Sequence, residues 1–167
     1  LQYEFGAFVV VAELGTAVNP TGPSTDAYLL VRIDEAARQL TFVAIPSNVT
    51  VWQSDNDATP LYDVRAQQGD AELVRQVAKL AEVDIAHFAY TTADGLRGMA
   101  DAVGGVPMVL SQEVDDPRAG INVLAAGEQT LDGRQAVTLL RASNFTEGLA
   151  TEATHRAMFT ASLAGSA

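Results

Sequence analysis

Apolar residues along this chain fall into short runs or alternate with polar ones over residues 3–13, 27–34, 40–45, 85–90 and 106–110. Each run is rich in β-branched, aromatic and aliphatic side chains and is bounded by Gly, Pro, Asn or Asp, the pattern of a strand. Between the second and third runs, Asp34-Glu35-Ala36-Ala37-Arg38-Gln39 is polar and too short for a crossover, which predicts an antiparallel hairpin. A helical period replaces the alternation over residues 70–82, where Leu73, Val77, Leu80 and Ala81 form one stripe behind a capping Asp70. It returns over 92–103 with Leu96, Met99, Ala100 and Val103, and Gly104 then occupies the left-handed position that ends a helix. Residues 132–141, with Ala136, Val137 and Leu140 inward, and 151–163, with Phe159 and Leu163 four apart, predict two more helices. Turn formers concentrate in 19–24, 54–60 and 115–120, which are predicted as loops. This order of elements predicts an α/β fold: a central mixed, partly antiparallel β-sheet flanked by helices on both faces.

The 167 residues, 48% apolar and 19% charged, fit one domain over 1–167 with a single core. No apolar run approaches the roughly 20 residues of a membrane-crossing helix. The chain begins at Leu1 without a basic leader, so it is read as a piece of a longer precursor whose signal or anchor would lie upstream. A formal charge of −11 and a pI near 4.4 argue against a surface that tracks phosphates, so no nucleic-acid partner is expected. The absence of cysteine removes disulfides, thiolate zinc sites and cysteine nucleophiles together.

Generic chemistry is sparse. There is no Gly-x-Ser-x-Gly elbow, P-loop or dinucleotide fingerprint. Asp55-Asn56-Asp57 lacks the later glycine and glutamate of a calcium loop and reads as a solvated turn. His87 and His155 stand far apart without a neighbouring ligand motif and read as structural or surface residues. Gly104-Gly105-Val106-Pro107 is a helix stop entering a strand, and Leu131-Asp132-Gly133 is a turn entering a helix; Asp101 and Asp132 are read as turn or helix-capping residues.

Taken together, residues 101–106 (Asp-Ala-Val-Gly-Gly-Val) and 124–136 (Leu-Ala-Ala-Gly-Glu-Gln-Thr-Leu-Asp-Gly-Arg-Gln-Ala) resemble two framework signatures of the LytR-CpsA-Psr family. Upstream, residues 26–34 resemble the strand after the family's Arg-x-Asp motif, and Phe42-Val43-Ala44-Ile45-Pro46 resembles the strand before its Arg-Asp pair. The resemblance covers residues 8–160. It implies an extracytoplasmic domain at the cell envelope, anchored to the cytoplasmic membrane by an N-terminal helix outside this sequence. It also implies transfer of a glycopolymer from a polyprenyl pyrophosphate lipid to peptidoglycan, with magnesium (Mg2+) as cofactor. Such chemistry needs cations around the phosphates, and a guanidinium offers them a fixed fork of donors.

Carried across by resemblance, Asp26 is the metal-holding and catalytic aspartate, and Arg141 and Arg156 are the pyrophosphate-gripping arginines. Other positions depart from the family. Ser24 stands for the motif arginine before Asp26, and Leu14, beside Glu13, for an earlier aspartate. Ser47-Asn48 replaces the Arg-Asp pair, and Ser143 the second arginine of Arg-x-Arg. In the closing Asp-x-x-Arg-x-x-Arg-Gln motif, Ala153, Phe159 and Thr160 replace the aspartate, the later arginine and the glutamine. The Lys-x-Asn motif is not recognisable around Pro60-Leu61-Tyr62. Losing one charge-stabilising donor typically costs about 10²–10³ in rate, and here several are gone. The expectation is therefore a catalytically impaired binder of polyprenyl-linked glycopolymer or lipid. The alternatives are an active magnesium-dependent phosphotransferase with replacement ligands such as Glu13 or Glu147, and an envelope assembly scaffold without a lipid site. Outside the resemblance, Asp26 reads as a local turn residue, and Arg141 and Arg156 as members of ion pairs.

Overall fold

A computed structural model describes residues 7–14, 27–46, 48–54, 57–120, 123–145 and 149–167. Strands β1 (Ala7–Glu13), β2 (Ala27–Asp34) and β3 (Gln39–Ile45) form an antiparallel meander. A hairpin of β4 (Thr50–Ser54) and β5 (Asp57–Pro60) follows, then helices α1 (Leu61–Gln68) and α2 (Asp70–Ala81). This excursion brings β6 (His87–Thr92) parallel to β1, completing a four-stranded sheet of order β3-β2-β1-β6. Helix α3 (Ala93–Ala102), the pair β7 (Val106–Leu110) and β8 (Gly127–Leu131), and helices α4 (Gly133–Arg141) and α5 (Leu149–Ser166) complete the described chain.

Strand alternation distributes side chains to two cores. Val9 and Val11 of β1, Tyr28 of β2 and Ile45 of β3 pack with Leu61 and Val64 of α1 and Leu73 and Val77 of α2. Ala12, Leu14 and Ala27 join a larger cluster with α3, β7, β8, α4 and Phe159 of α5. Helices thus lie on both faces of a mixed, partly antiparallel sheet, the predicted class.

The α3–β7 junction follows from its glycines. Gly104 N–H bonds Asp101 O at 3.0 Å and Gly105 N–H bonds Ala100 O at 2.9 Å, the paired bonds of a Schellman stop. Both glycines have positive φ (80° and 99°), and a Cβ on Gly105 would lie 2.6 Å from Thr130 Cγ2 in the adjacent strand β8.

Several local expectations are corrected. Residues 57–60 of the predicted 54–60 loop are strand β5, because they pair with β4. The N-cap of α2 is Gly69; Asp70 instead lies in the first turn and accepts from Arg65 Nε at 2.9 Å. Leu80 and Met99, assigned to buried stripes, are 46% and 43% exposed because they sit at the margins of their helices' inward faces. The strand predicted over 85–90 runs from His87 to Thr92. Helix α1 and strands β4 and β8 were not predicted. The 19–24 loop and Asp55-Asn56 lie outside the described residues.

Candidate functional site

The carboxyl ends of the parallel strands β1 and β6 lie side by side, with Glu13 in register with Thr92. Thr92 caps α3, its hydroxyl accepting from Gly95 N–H at 3.2 Å. Ligands of open α/β sheets settle at such carboxyl edges. Here Arg141, in the last turn of α4, donates from Nε to the carbonyl of buried Leu14 at 2.7 Å. Burial first, and then the nearby positive charge of Arg97, push the Arg141 guanidinium below its ordinary pKa. A guanidinium remains charged through such shifts. The edge therefore carries the Arg141 cation, with Arg97 of α3 near enough to feel it and itself paired to Asp94.

Three framework residues fix how α4 presents Arg141. Asp132 Oδ1 accepts from Arg134 N–H and Gln135 N–H, each at 2.9 Å, while Gln135 Oε1 accepts from Asp132 N–H, a complete capping box. The remaining first-turn donor, Gly133 N–H, is taken by Asp101 of α3 at 2.7 Å. Gly133 is glycine because α3 crosses against it: a Cβ there would collide with the backbone carbonyl of Arg97 and would lie 2.6 Å from Arg97 Cγ and 2.8 Å from Asp101 Oδ2. The capping roles read for Asp101 and Asp132 are what the geometry assigns.

Arg156 sits elsewhere in the same corner and is committed to the fold. It is 2% exposed. Its guanidinium is 2.6 Å from Glu152 one turn earlier and donates to Leu140 O from Nε at 3.3 Å and Nη2 at 3.1 Å. Leu140 O belongs to the last turn of α4, beyond the Thr138 and Leu139 carbonyls that accept from Ala142 N–H, and a cation there also complements the helix dipole. Phe159, at the position where the resemblance places a second arginine, is 1% exposed within the larger core. His155 is buried, its ring 4.9 Å edge-on to Phe145, and burial pushes its pKa below 6.5.

Asp26, Ser24 and Glu147 lie outside the described residues, as does the side chain of Glu13, so their relation to Arg141 is not part of this geometry. Among the described residues no three His, Asp or Glu side chains group as metal ligands. Arg97 and Glu152 were missed in the sequence. Arg97 stands four residues before Asp101, on the helix face that meets α4, and Glu152 four before Arg156; those spacings were the available signals.

Behind the cationic edge runs an apolar strip of sheet. Val10, Leu29 and Ala44 stand in register across β1, β2 and β3, and Val31 and Phe42 stand in the next row. They share the parity of Ala12 and Ala27, which join the cluster containing Phe159 of α5. Helix α5 packs against β3, yet Val10, Val31, Phe42 and Ala44 stay only half-buried. No helix among the described residues is long and apolar enough to cross a membrane.

Known proteins share this architecture. The chain resembles Bacillus subtilis TagV with a TM-score of 0.79 at 17% identity, over 99% of this chain and 66% of that one. It resembles the LytR-CPS2A-psr family protein YwtF (TagT) with bound octaprenyl pyrophosphate lipid with a TM-score of 0.69 at 15% identity, over 96% and 65%. In sequence it is 27% identical over 144 residues to the cell wall biosynthesis protein LcpA of Corynebacterium glutamicum, covering 71% of this chain and 28% of that protein. It is 31% identical over 136 residues to the probable cell wall biosynthesis protein LcpB of the same organism, covering 78% and 31%. The chain thus spans about three tenths of the length of these curated relatives and, in the lipid-bound structure, 65% of the solved chain. The sequence profile of the LytR_cpsA_psr family matches residues 20–148, most of the chain, and with the two capped glycine junctions and the shared fold this places the chain in the LytR-CpsA-Psr family.

Proposed function

We propose that this chain is a cell-envelope domain of cell wall biosynthesis that binds a polyprenyl (pyro)phosphate lipid or its glycopolymer conjugate and is impaired as a transferase. One observation carries the binding half: a half-covered apolar strip of sheet leads along β1 to an edge bearing Arg141, with Arg97 nearby. That arrangement matches a ligand with a long apolar tail and an anionic head. The octaprenyl pyrophosphate held by YwtF (TagT), which shares this fold, supports the ligand class.

Impairment rests on where the retained and replaced motif residues go. Arg156 pairs with Glu152 and donates to the end of α4, and Phe159 fills core, which supports a reading in which neither position serves a substrate phosphate. Ser47-Asn48, Ser143 and Ala153 supply neither the cations nor the carboxylate that the resemblance would place there. Domain organisation as one unit over 1–167, peptidoglycan as the acceptor-side partner and an N-terminal membrane anchor outside this sequence belong to the same proposal. So does magnesium held by Asp26.

The test is octaprenyl pyrophosphate binding and phosphate release by the purified chain, with and without magnesium, beside Asp26→Ala and Arg141→Ala. Binding that Arg141→Ala weakens at least tenfold, without release, is the expected result. Magnesium-dependent release abolished by both substitutions would restore the active phosphotransferase. Neither binding nor release would leave the assembly scaffold.

A further inference from the structure

On the other side of the sheet, over α2 and the β4–β5 hairpin, lies a cavity of about 260 Å³ lined by Thr50, Val51, Trp52, Gln76, Lys79 and Leu80. Period-two alternation builds it. Val51 turns inward and is 5% exposed, so its neighbour Trp52 turns outward and leaves 57% of its surface in solvent. An indole is costly to leave in water, and nothing in the fold's two cores uses this one.

The polar groups around the indole are held in place. Gln76 is 1% exposed and donates from Nε2 to Glu72 Oε1 at 2.8 Å. Glu72 is itself fixed by Arg75, whose Nη2 lies 2.5 Å from the same oxygen. The clamp sets the plane of the Gln76 carboxamide at the cavity wall. Lys79 Nζ donates to the Trp52 backbone carbonyl at 3.3 Å, which places an ammonium at the strand that carries the indole.

From this geometry we infer a second binding site, for a single pyranose unit of a glycan, with Trp52 as the stacking platform. The two faces of a pyranose are C–H surfaces that lie flat on an indole, and its rim of hydroxyls needs both donors and acceptors. The Thr50 hydroxyl and the Lys79 ammonium, both exposed, provide that mixture, and buried Gln76 shapes the wall behind them. The volume falls just below the roughly 300–1,000 Å³ of drug-sized pockets, which suits one sugar ring and excludes a long polyprenyl chain. An anionic membrane surface is a poorer occupant, because the chain carries a net charge of −11. The site is separate from Arg141, which belongs to α4 and the other core, so it stands or falls independently of the lipid reading.

Trp52 is the only tryptophan in the chain, so its emission reports this cavity alone. The experiment titrates the full chain with glucose, galactose, N-acetylglucosamine and the β-1,4-linked N-acetylglucosamine tetramer. A saturable emission change with at least one of them is expected, at least tenfold weaker in Lys79→Ala and Gln76→Leu and unchanged in Arg141→Ala. Because Gln76 is buried, Lys79→Ala and a calorimetric titration of Trp52→Ala, both at exposed positions, keep the test independent of folding. Trp52→Ala retains the native melting temperature and loses the binding heat. Failure of all four saccharides overturns the inference, as does a change untouched by Lys79→Ala and Gln76→Leu. Emission that responds only to phosphatidylglycerol vesicles assigns the face to a membrane instead, and emission that shifts only with protein concentration assigns it to a second copy.

Discussion

Gly133 shows how much one hydrogen atom in place of a side chain decides. Its Cβ position is occupied by Arg97 and by Asp101, the same residue that accepts the Gly133 N–H. Gly133→Ala is expected to cost about 3 kcal/mol or more by overpacking, because the nearest obstacle is the backbone carbonyl of Arg97, which moves only if the α3–α4 crossing opens. Asp132→Ala removes one side of the capping box and is expected to cost about 1 kcal/mol; urea denaturation of both variants measures the two. His155 is a different kind of residue-scale liability. Buried against Phe145, with Nδ1 lacking a hydrogen-bond partner among the described residues, it favours the neutral form, and its folded pKa lies below the unfolded value near 6.5. The unfolded chain therefore binds the proton more readily. Stability contributed by neutral His155 is complete above the unfolded pKa and is lost as pH falls from about 6.5 toward the folded value. Thermal melts between about pH 7.5 and 5.5 are expected to show that loss in the native chain and a flatter profile in His155→Phe.

At the scale of elements, α4 and α5 are joined by a charge rather than by apolar contact alone. Arg156 satisfies the end of α4 and is neutralised by Glu152, with side chains 3% and 11% exposed. Breaking a buried pair strands its partner, so Arg156→Ala and Glu152→Ala are each expected to cost about 3–5 kcal/mol, whereas an Arg156→Met/Glu152→Leu double variant recovers most of the loss. Equal losses in the double variant, measured by chemical denaturation, would mean that the pair does not act as a unit. The sequence makes Glu152 and Arg156 visible as an i,i+4 couple, yet the acceptor that gives Arg156 its role is a backbone carbonyl, and carbonyls carry no sequence signature. The same limit hides Leu14 O, the partner of Arg141. Elements were legible where one face carried a sustained pattern, as in β2, β7, α3 and α4. Helix α1 buries only Leu61 and Val64, too few for a stripe; β8 buries only Leu131; and β5 is the turn-like Asp57-Ala58-Thr59-Pro60, made a strand by pairing with β4. The glycine and aspartate signatures were legible as a family pattern, and the fold supplies their reason: a Schellman stop, a capping box and a close helix crossing.

For the whole molecule the decisive quantity is a net charge of −11, set against the anionic head of the proposed lipid ligand. Long-range repulsion opposes encounter, while the local attraction from Arg141, with Arg97 nearby, acts only at the carboxyl edge of β1, where partial burial shields it from salt. These two contributions respond differently to ionic strength. Raising salt from about 0.01 M to 0.15 M shortens the screening length from about 30 Å to about 8 Å, which removes most of the repulsion between distant carboxylates and the incoming head group but little of the contact attraction. Association of the chain with octaprenyl pyrophosphate is therefore expected to accelerate several-fold over this range, with a smaller change in dissociation rate, as read by stopped flow. Arg141→Ala is expected to keep that salt acceleration and to dissociate faster, since it removes the contact and leaves the far field almost intact. An association rate that falls with salt would instead locate a basic steering surface that overrides the net charge, and the cationic edge would then extend well beyond Arg141 and its neighbour Arg97.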